Sequence, residues 1–141
     1  MSENELRAQL TLVKGMQFVG VGDSHRGVIL DSDFEGDIPA GSKPMELLLI
    51  ALGGCTAMDV ISILRKKRQE VDYFALDIKG YRREEHPRIF EKIEIKYILK
   101  GNNLSERAIE RAIELSQGKY CSITAMLKAT TKIETSYEIL K

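Results

Sequence analysis

The sequence predicts an α+β fold, with strands and helices segregated rather than alternating. Three observations carry that expectation. Runs of apolar–polar alternation bunch near the two ends and the middle of the chain, one long run is apolar on every side, and a later stretch has helical spacing. The predicted order is βββ–α–ββ–α–α–β, with antiparallel strands wrapped around a long buried helix. At 141 residues the expectation is a single domain, residues 1–141.

Each element follows from local pattern. Leu6, Ala8, Leu10 and Leu12 alternate with Arg7, Gln9 and Thr11, the period of a half-buried strand. Lys14-Gly15 turns the chain, and Met16, Phe18 and Val19–Val21 begin a second strand. Gly22-Asp23-Ser24 reads as a turn, and Val28, Ile29 and Leu30 as a short third strand. Residues 31–43 are acidic, aperiodic and contain Gly and Pro, so they are a loop, either a plain solvated connection, which is the commoner case, or the rim of a pocket.

The stretch Pro44–Arg68 is the predicted core helix. From Leu47 to Leu64 only small residues, Thr56, Asp59 and Ser62 interrupt the apolar run. A helix with no polar face is buried. Pro44 suits the first turn, where its missing N–H costs nothing. Glu46 suits the positive end of the helix dipole, and Arg65, Lys66, Lys67 and Arg68 the negative end. A membrane span needs about 20 apolar residues without charges. Asp59 and the strand-like flanks argue against one. The small patch Ala51, Gly53, Gly54 and Ala57 suits close contact with a second helix, as in a dimer.

After the helix, Phe74, Leu76 and Ile78 define one strand. Ile89, Glu91, Ile93, Ile95, Tyr97 and Leu99 share a face of the next, with the charged tip Arg82–Arg88 between them. Asn103 or Ser105 caps a following helix, and Asn103 with Glu106 has capping-box spacing. Gly118 is the expected C′ residue. Residues 119–129 form a short helical piece opened by Cys121, and Ile133, Thr135, Tyr137 and Ile139 alternate as the last strand.

Composition narrows the function. The 21 basic and 21 acidic residues cancel, which leaves no nucleic-acid footprint. MSENELRAQL lacks the apolar segment of a signal peptide, so the expected location is cytoplasmic. A reducing compartment argues against a structural staple between the two cysteines, Cys55 and Cys121. They form no CxxC motif, and with His25 and His86 they lack zinc-ligand spacing. Three readings stand: inert core thiols, which composition alone favours; a shared metal, which the absence of a second ligand pair argues against; or an attacking and a resolving thiol. Cys121 opens a helical piece, where free N–H groups lower a thiol pKa. Cys55 lies inside its own helix, so its activation calls for a cation from elsewhere: His25 or Arg26, or Arg82, Arg83, His86 or Arg88 at the hairpin tip.

KPMELLLIALGGCTAMDVISIL together with KYCSITAML resembles the OsmC/Ohr family of thiol peroxidases, most closely the branch with ELLLIALGGC before the first cysteine. The resemblance implies a tightly intertwined homodimer with two long central helices and active sites at the subunit interface. It implies reduction of hydroperoxides by cysteine, without metal, haem, flavin or other cofactor. By position, Cys55 would be the peroxidatic thiolate and Cys121 the resolving thiol. An external dithiol would reduce their disulfide. An arginine and a glutamate support the reactive cysteine in better-known members; Arg26, with His25 beside it, and Glu46 are the matching candidates here. The family glutamate directly follows the helix-opening proline. Met45 holds that place in this chain and Glu46 comes next, turned by about 100°. The alternative is an OsmC-like binding module for a small apolar or thiol-reactive ligand, with little or no turnover.

Overall fold

Alternation near the start of the chain produces a meander of β1 (Ala8–Lys14), β2 (Gln17–Gly22) and β3 (Gly27–Leu30), paired antiparallel in that order. The computed structural model describes residues 4–33, 36 and 38–141, which form two compact units, Met1–Leu48 and Leu49–Lys141. In the first unit, Gly15 takes a positive φ of 53° in the β1–β2 turn, a conformation glycine enters without strain. His25 does the same at 61° in the β2–β3 turn and donates its N–H to the Gly22 carbonyl at 3.0 Å. The acidic loop is partly self-bonded. The Asp31 carboxylate accepts the N–H groups of Ser32 (2.7 Å) and Ala40 (2.8 Å), which hold it below the usual carboxylate range. Phe34, Glu35 and Asp37 of the expected loop lie outside the described residues.

The core helix α1 (Pro44–Lys66) begins at the predicted proline. Glu46 Oε1 accepts the Lys43 N–H at 2.8 Å, satisfying a donor that the first turn leaves orphaned. Past its other end, Arg68 turns left-handed (φ 57°) and Gln69 donates its N–H to the Leu64 carbonyl at 3.0 Å. Burial differs from the expectation of a helix covered all round. Within this chain Leu52, Gly53, Thr56, Val60 and Leu64 form the buried stripe, whereas Ile50 is 59% and Met58 73% exposed.

In the second unit, β4 (Glu70–Arg82) and β5 (Phe90–Asn102) form the long antiparallel hairpin, and β6 (Lys132–Ile139) joins β5 in parallel. Parallel neighbours need a crossover. Here it consists of α2 (Glu106–Leu115), a π-helical turn (Ser116–Tyr120) and α3 (Ser122–Leu127). The buried face of β5 carries Ile93, Ile95, Tyr97 and Leu99 as expected. A register shift next to Arg82 then brings Phe90, not Ile89, into the core.

Of the two expected caps, Ser105 is the one that holds α2, its Oγ accepting the Ala108 N–H at 3.1 Å, while Asn103 takes a positive φ of 51°. The other end of that helix needs correction. Gly118 does not end the helix. The chain widens into the π turn, closed by the Cys121 N–H on the Ser116 carbonyl at 2.8 Å.

Gly101 fixes the far end of the hairpin. A Cβ there would collide with the Glu70 carbonyl oxygen and meet Leu104 Cδ2 at 3.0 Å. Backbone on the paired strand has little room to yield. Gly101→Ala is expected to cost about 1–3 kcal/mol, seen as a lower urea midpoint.

Candidate thiol site

One turn of α1 separates Cys55 from Asp59, so both side chains lie on one face of that helix. Cys121 ends the π turn and is the N-cap of α3. Together these elements bring the Sγ atoms of Cys55 and Cys121 and a carboxylate oxygen of Asp59 within 4.8 Å of one another. Both cysteines are free thiols, Cys121 buried and Cys55 half-buried.

Cys55 sits against the start of α3. The backbone amides of Ser122 and Ile123 favour its thiolate electrostatically. This corrects the expectation that a cysteine inside a helix has no helix terminus to draw on: the terminus belongs to another helix. Even so, burial pushes the Cys55 thiol above its ordinary value, and the Cys121 thiol adds to the rise, while the two N–H groups pull it down. Cys121 Sγ in turn accepts the Thr124 N–H at 3.4 Å.

A buried hydroxyl network backs the site. Ser116 Oγ donates to Asp59 Oδ2 at 2.9 Å. That uses its one proton, so the 2.7 Å contact between Thr56 Oγ1 and Ser116 Oγ has Thr56 as donor. The 2.7 Å contact between Tyr97 and Thr56 then has the phenol as donor. Gln117 Nε2 also donates to Thr56 Oγ1, at 3.1 Å, and Thr124 Oγ1 donates to Gln117 Oε1 at 3.3 Å. Hydroxyl protons thus run in one direction, Tyr97 to Thr56 to Ser116 to Asp59. Burial raises the Tyr97 pKa, which keeps the phenol a donor.

The model of the family described as OsmC-like protein matches residues 35–136. The chain belongs to the OsmC/Ohr family. It is 38% identical to Protein YhfA of Escherichia coli over 135 residues, 96% of this chain and 98% of that one. It is also 38% identical to a hypothetical protein from Aquifex aeolicus of known crystal structure, with a TM-score of 0.86 and 97% of each chain covered. An organic hydroperoxide resistance protein OsmC from Legionella pneumophila shares the fold at 10% identity, with a TM-score of 0.67 over 98% of this chain and 99% of that one.

His25 and Arg26 are exposed in the β2–β3 turn of the first unit. Glu46 is engaged by the Lys43 N–H at the start of α1. Nine residues separate Glu46 from Cys55, and at about 100° per residue they face opposite sides of the helix. At the hairpin tip, Arg82 Nε donates to the Arg88 carbonyl (2.8 Å), Arg83 Nε to the Pro87 carbonyl (2.7 Å) and Arg88 Nε to the Arg83 carbonyl (3.2 Å). These arginines brace their own loop.

Sequence reading missed Asp59, Thr56, Ser116, Gln117 and Tyr97 as parts of the site. The Cys55–Asp59 spacing of four on a helix was the available signal for Asp59. Nothing local marks the others.

Thr56→Val removes the junction of the network and leaves buried hydroxyls of Tyr97 and Ser116 short of a partner. A loss of about 1–3 kcal/mol in unfolding free energy is expected, measured by urea denaturation against Thr56→Ser, which keeps the hydroxyl.

Proposed function

We propose that this protein is a thiol-dependent peroxidase that reduces organic hydroperoxides or hydrogen peroxide. The observation that carries the reading is the approach of the two sulfurs, Cys55 and Cys121. Cys55 as thiolate attacks the distal peroxide oxygen. The O–O bond breaks, the alkoxide takes a proton and leaves as alcohol, and Cys55 becomes a sulfenic acid. Cys121 then attacks the oxidised sulfur, a disulfide forms and water leaves. An external dithiol restores both thiols by exchange. The bond requires the sulfurs to close to about 2.05 Å. The organic hydroperoxide resistance protein of the same fold supports the choice of substrate class.

Burial makes Cys55 reluctant to ionise, and a cation would offset this. Arg26 is the first candidate and His25 the second. Glu46 faces away from Cys55 on its own helix, so in this reading it serves the site only from a second copy. We assign the protein to the cytoplasm and read residues 1–141 as one domain, since α1 begins in one unit and ends in the other.

A homodimer completes the proposal. Ile50 and Met58 leave an apolar face of α1 open, and among the described residues no neighbouring element comes within 4 Å of the Cβ position at Gly54 between them. A second copy of α1 fits such a face. Sedimentation at micromolar concentration should give a dimer, and Met58→Glu should shift it toward monomer; a wild-type monomer rejects this part.

The raised thiol pKa favours a second reading, a binding module that reacts slowly if at all. Stopped-flow oxidation by cumene hydroperoxide separates the two. A peroxidase loses Cys55 thiol orders of magnitude faster than free cysteine and then shows a Cys55–Cys121 disulfide by mass spectrometry. A binder reacts at the free-cysteine rate. Cys55→Ser should abolish peroxide consumption, Cys121→Ser should accumulate the Cys55 sulfenic acid, and Arg26→Ala should move the oxidation rate profile to higher pH.

A further inference from the structure

We propose that the reduced Cys55–Cys121 pair and the Asp59 carboxylate form a binding site for one thiophilic divalent cation of the zinc class. Sequence spacing argued against a shared metal because no second cysteine or histidine pair is present. Folding supplies the third donor instead: Asp59 comes from the same face of α1 as Cys55, and α3 carries Cys121 to both.

The distances suit the ion. Zinc binds thiolate at about 2.3 Å and carboxylate oxygen at about 2.0–2.2 Å, so tetrahedral geometry sets neighbouring donors roughly 3.5–3.8 Å apart. The three donor atoms already lie within 4.8 Å of one another, and closing by about 1 Å is within reach of side-chain rotation. Two of the three donors also have an outer partner that orients them. Ser116 Oγ donates to Asp59 Oδ2 at 2.9 Å and the Thr124 N–H to Cys121 Sγ at 3.4 Å. Metal sites depend on such second-layer hydrogen bonds.

Of the three donors, Asp59 lines an open cleft of about 580 Å³ together with Met58, Ser62, Leu115 and Tyr120, edged by Lys66 and Lys67. Binding releases two protons, one from each thiol, and water fills the fourth position. Two thiolates, one carboxylate and a dication leave a net charge of −1. A disulfide has no thiolate to offer, so the site exists only in the reduced chain. A bound cation in turn occupies the sulfurs that an oxidant would attack. The inference stands on the donor geometry and does not require peroxidase activity.

The test uses the full-length, metal-stripped, reduced protein and the ions Zn²⁺ and Cd²⁺. Equilibrium dialysis should give one ion per chain at micromolar concentration, and Cd²⁺ should produce a thiolate-to-metal charge-transfer band in the ultraviolet. Cys55→Ser and Cys121→Ser should each weaken binding by 100-fold or more (about 2.7 kcal/mol). Asp59→Asn, checked for folding by its thermal melt, should weaken it roughly 10- to 100-fold. Wild-type protein linked by diamide needs no substitution and should bind no ion. Absence of binding to the reduced wild type, or unchanged affinity in Asp59→Asn or Cys121→Ser, overturns the inference. Lost metal binding alongside intact peroxide consumption would overturn it alone and leave the peroxidase reading standing.

Discussion

The Thr56 hydroxyl is the contact on which the rest of this structure turns. It is fully buried, yet it meets Tyr97 from β5 and Ser116 and Gln117 from the π turn. A hydroxyl has one proton and two lone pairs, and here all three are used. Any rotation of α1, or any slip of the crossover segment along it, leaves a buried donor or acceptor unmatched. The apolar surfaces of α1 and β5 supply attraction but little direction. Hydroxyl matching supplies the direction, and it fixes which residue of α1 faces the start of α3.

That alignment creates the opposing forces on Cys55. Surrounding hydrocarbon disfavours the thiolate, whereas the amide groups of Ser122 and Ile123 favour it. Asp59, close by, adds a negative group to the same few ångströms and is itself restrained by Ser116. A lone thiolate is thus poorly served by this chain alone, while a thiolate compensated by positive charge is well served. Peroxide chemistry with a guanidinium brought to Cys55 and capture of a dication are two ways of meeting the same electrostatic demand.

Much of the architecture could be read from residue order. Alternation at Leu10 and Leu12, at Phe74–Ile78 and at Ile93–Leu99, with the unbroken apolar run after Pro44, specified the succession of strands and helices. Cys121 at the start of a helical piece was legible because Ser122–Leu127 follows it with no intervening turn signal. Three things were not. The parallel pairing of β5 with β6 depends on how the crossover packs, which period-two patterning does not encode. The π turn hides behind Gly118, whose composition reads as a stop; the hydrogen bonding of Ser116, a tertiary matter, carries the backbone through. Asp59 looked like an interruption of an apolar run, and its meaning emerges only when a distant sulfur arrives beside it.

The parallel strand pair also sets an order of events during synthesis. β6 is translated after both Cys55 and Cys121, and α2, the π turn and α3 cannot be pinned as a crossover until it docks on β5. Both thiols are therefore synthesised before the strand pair that closes this crossover can form.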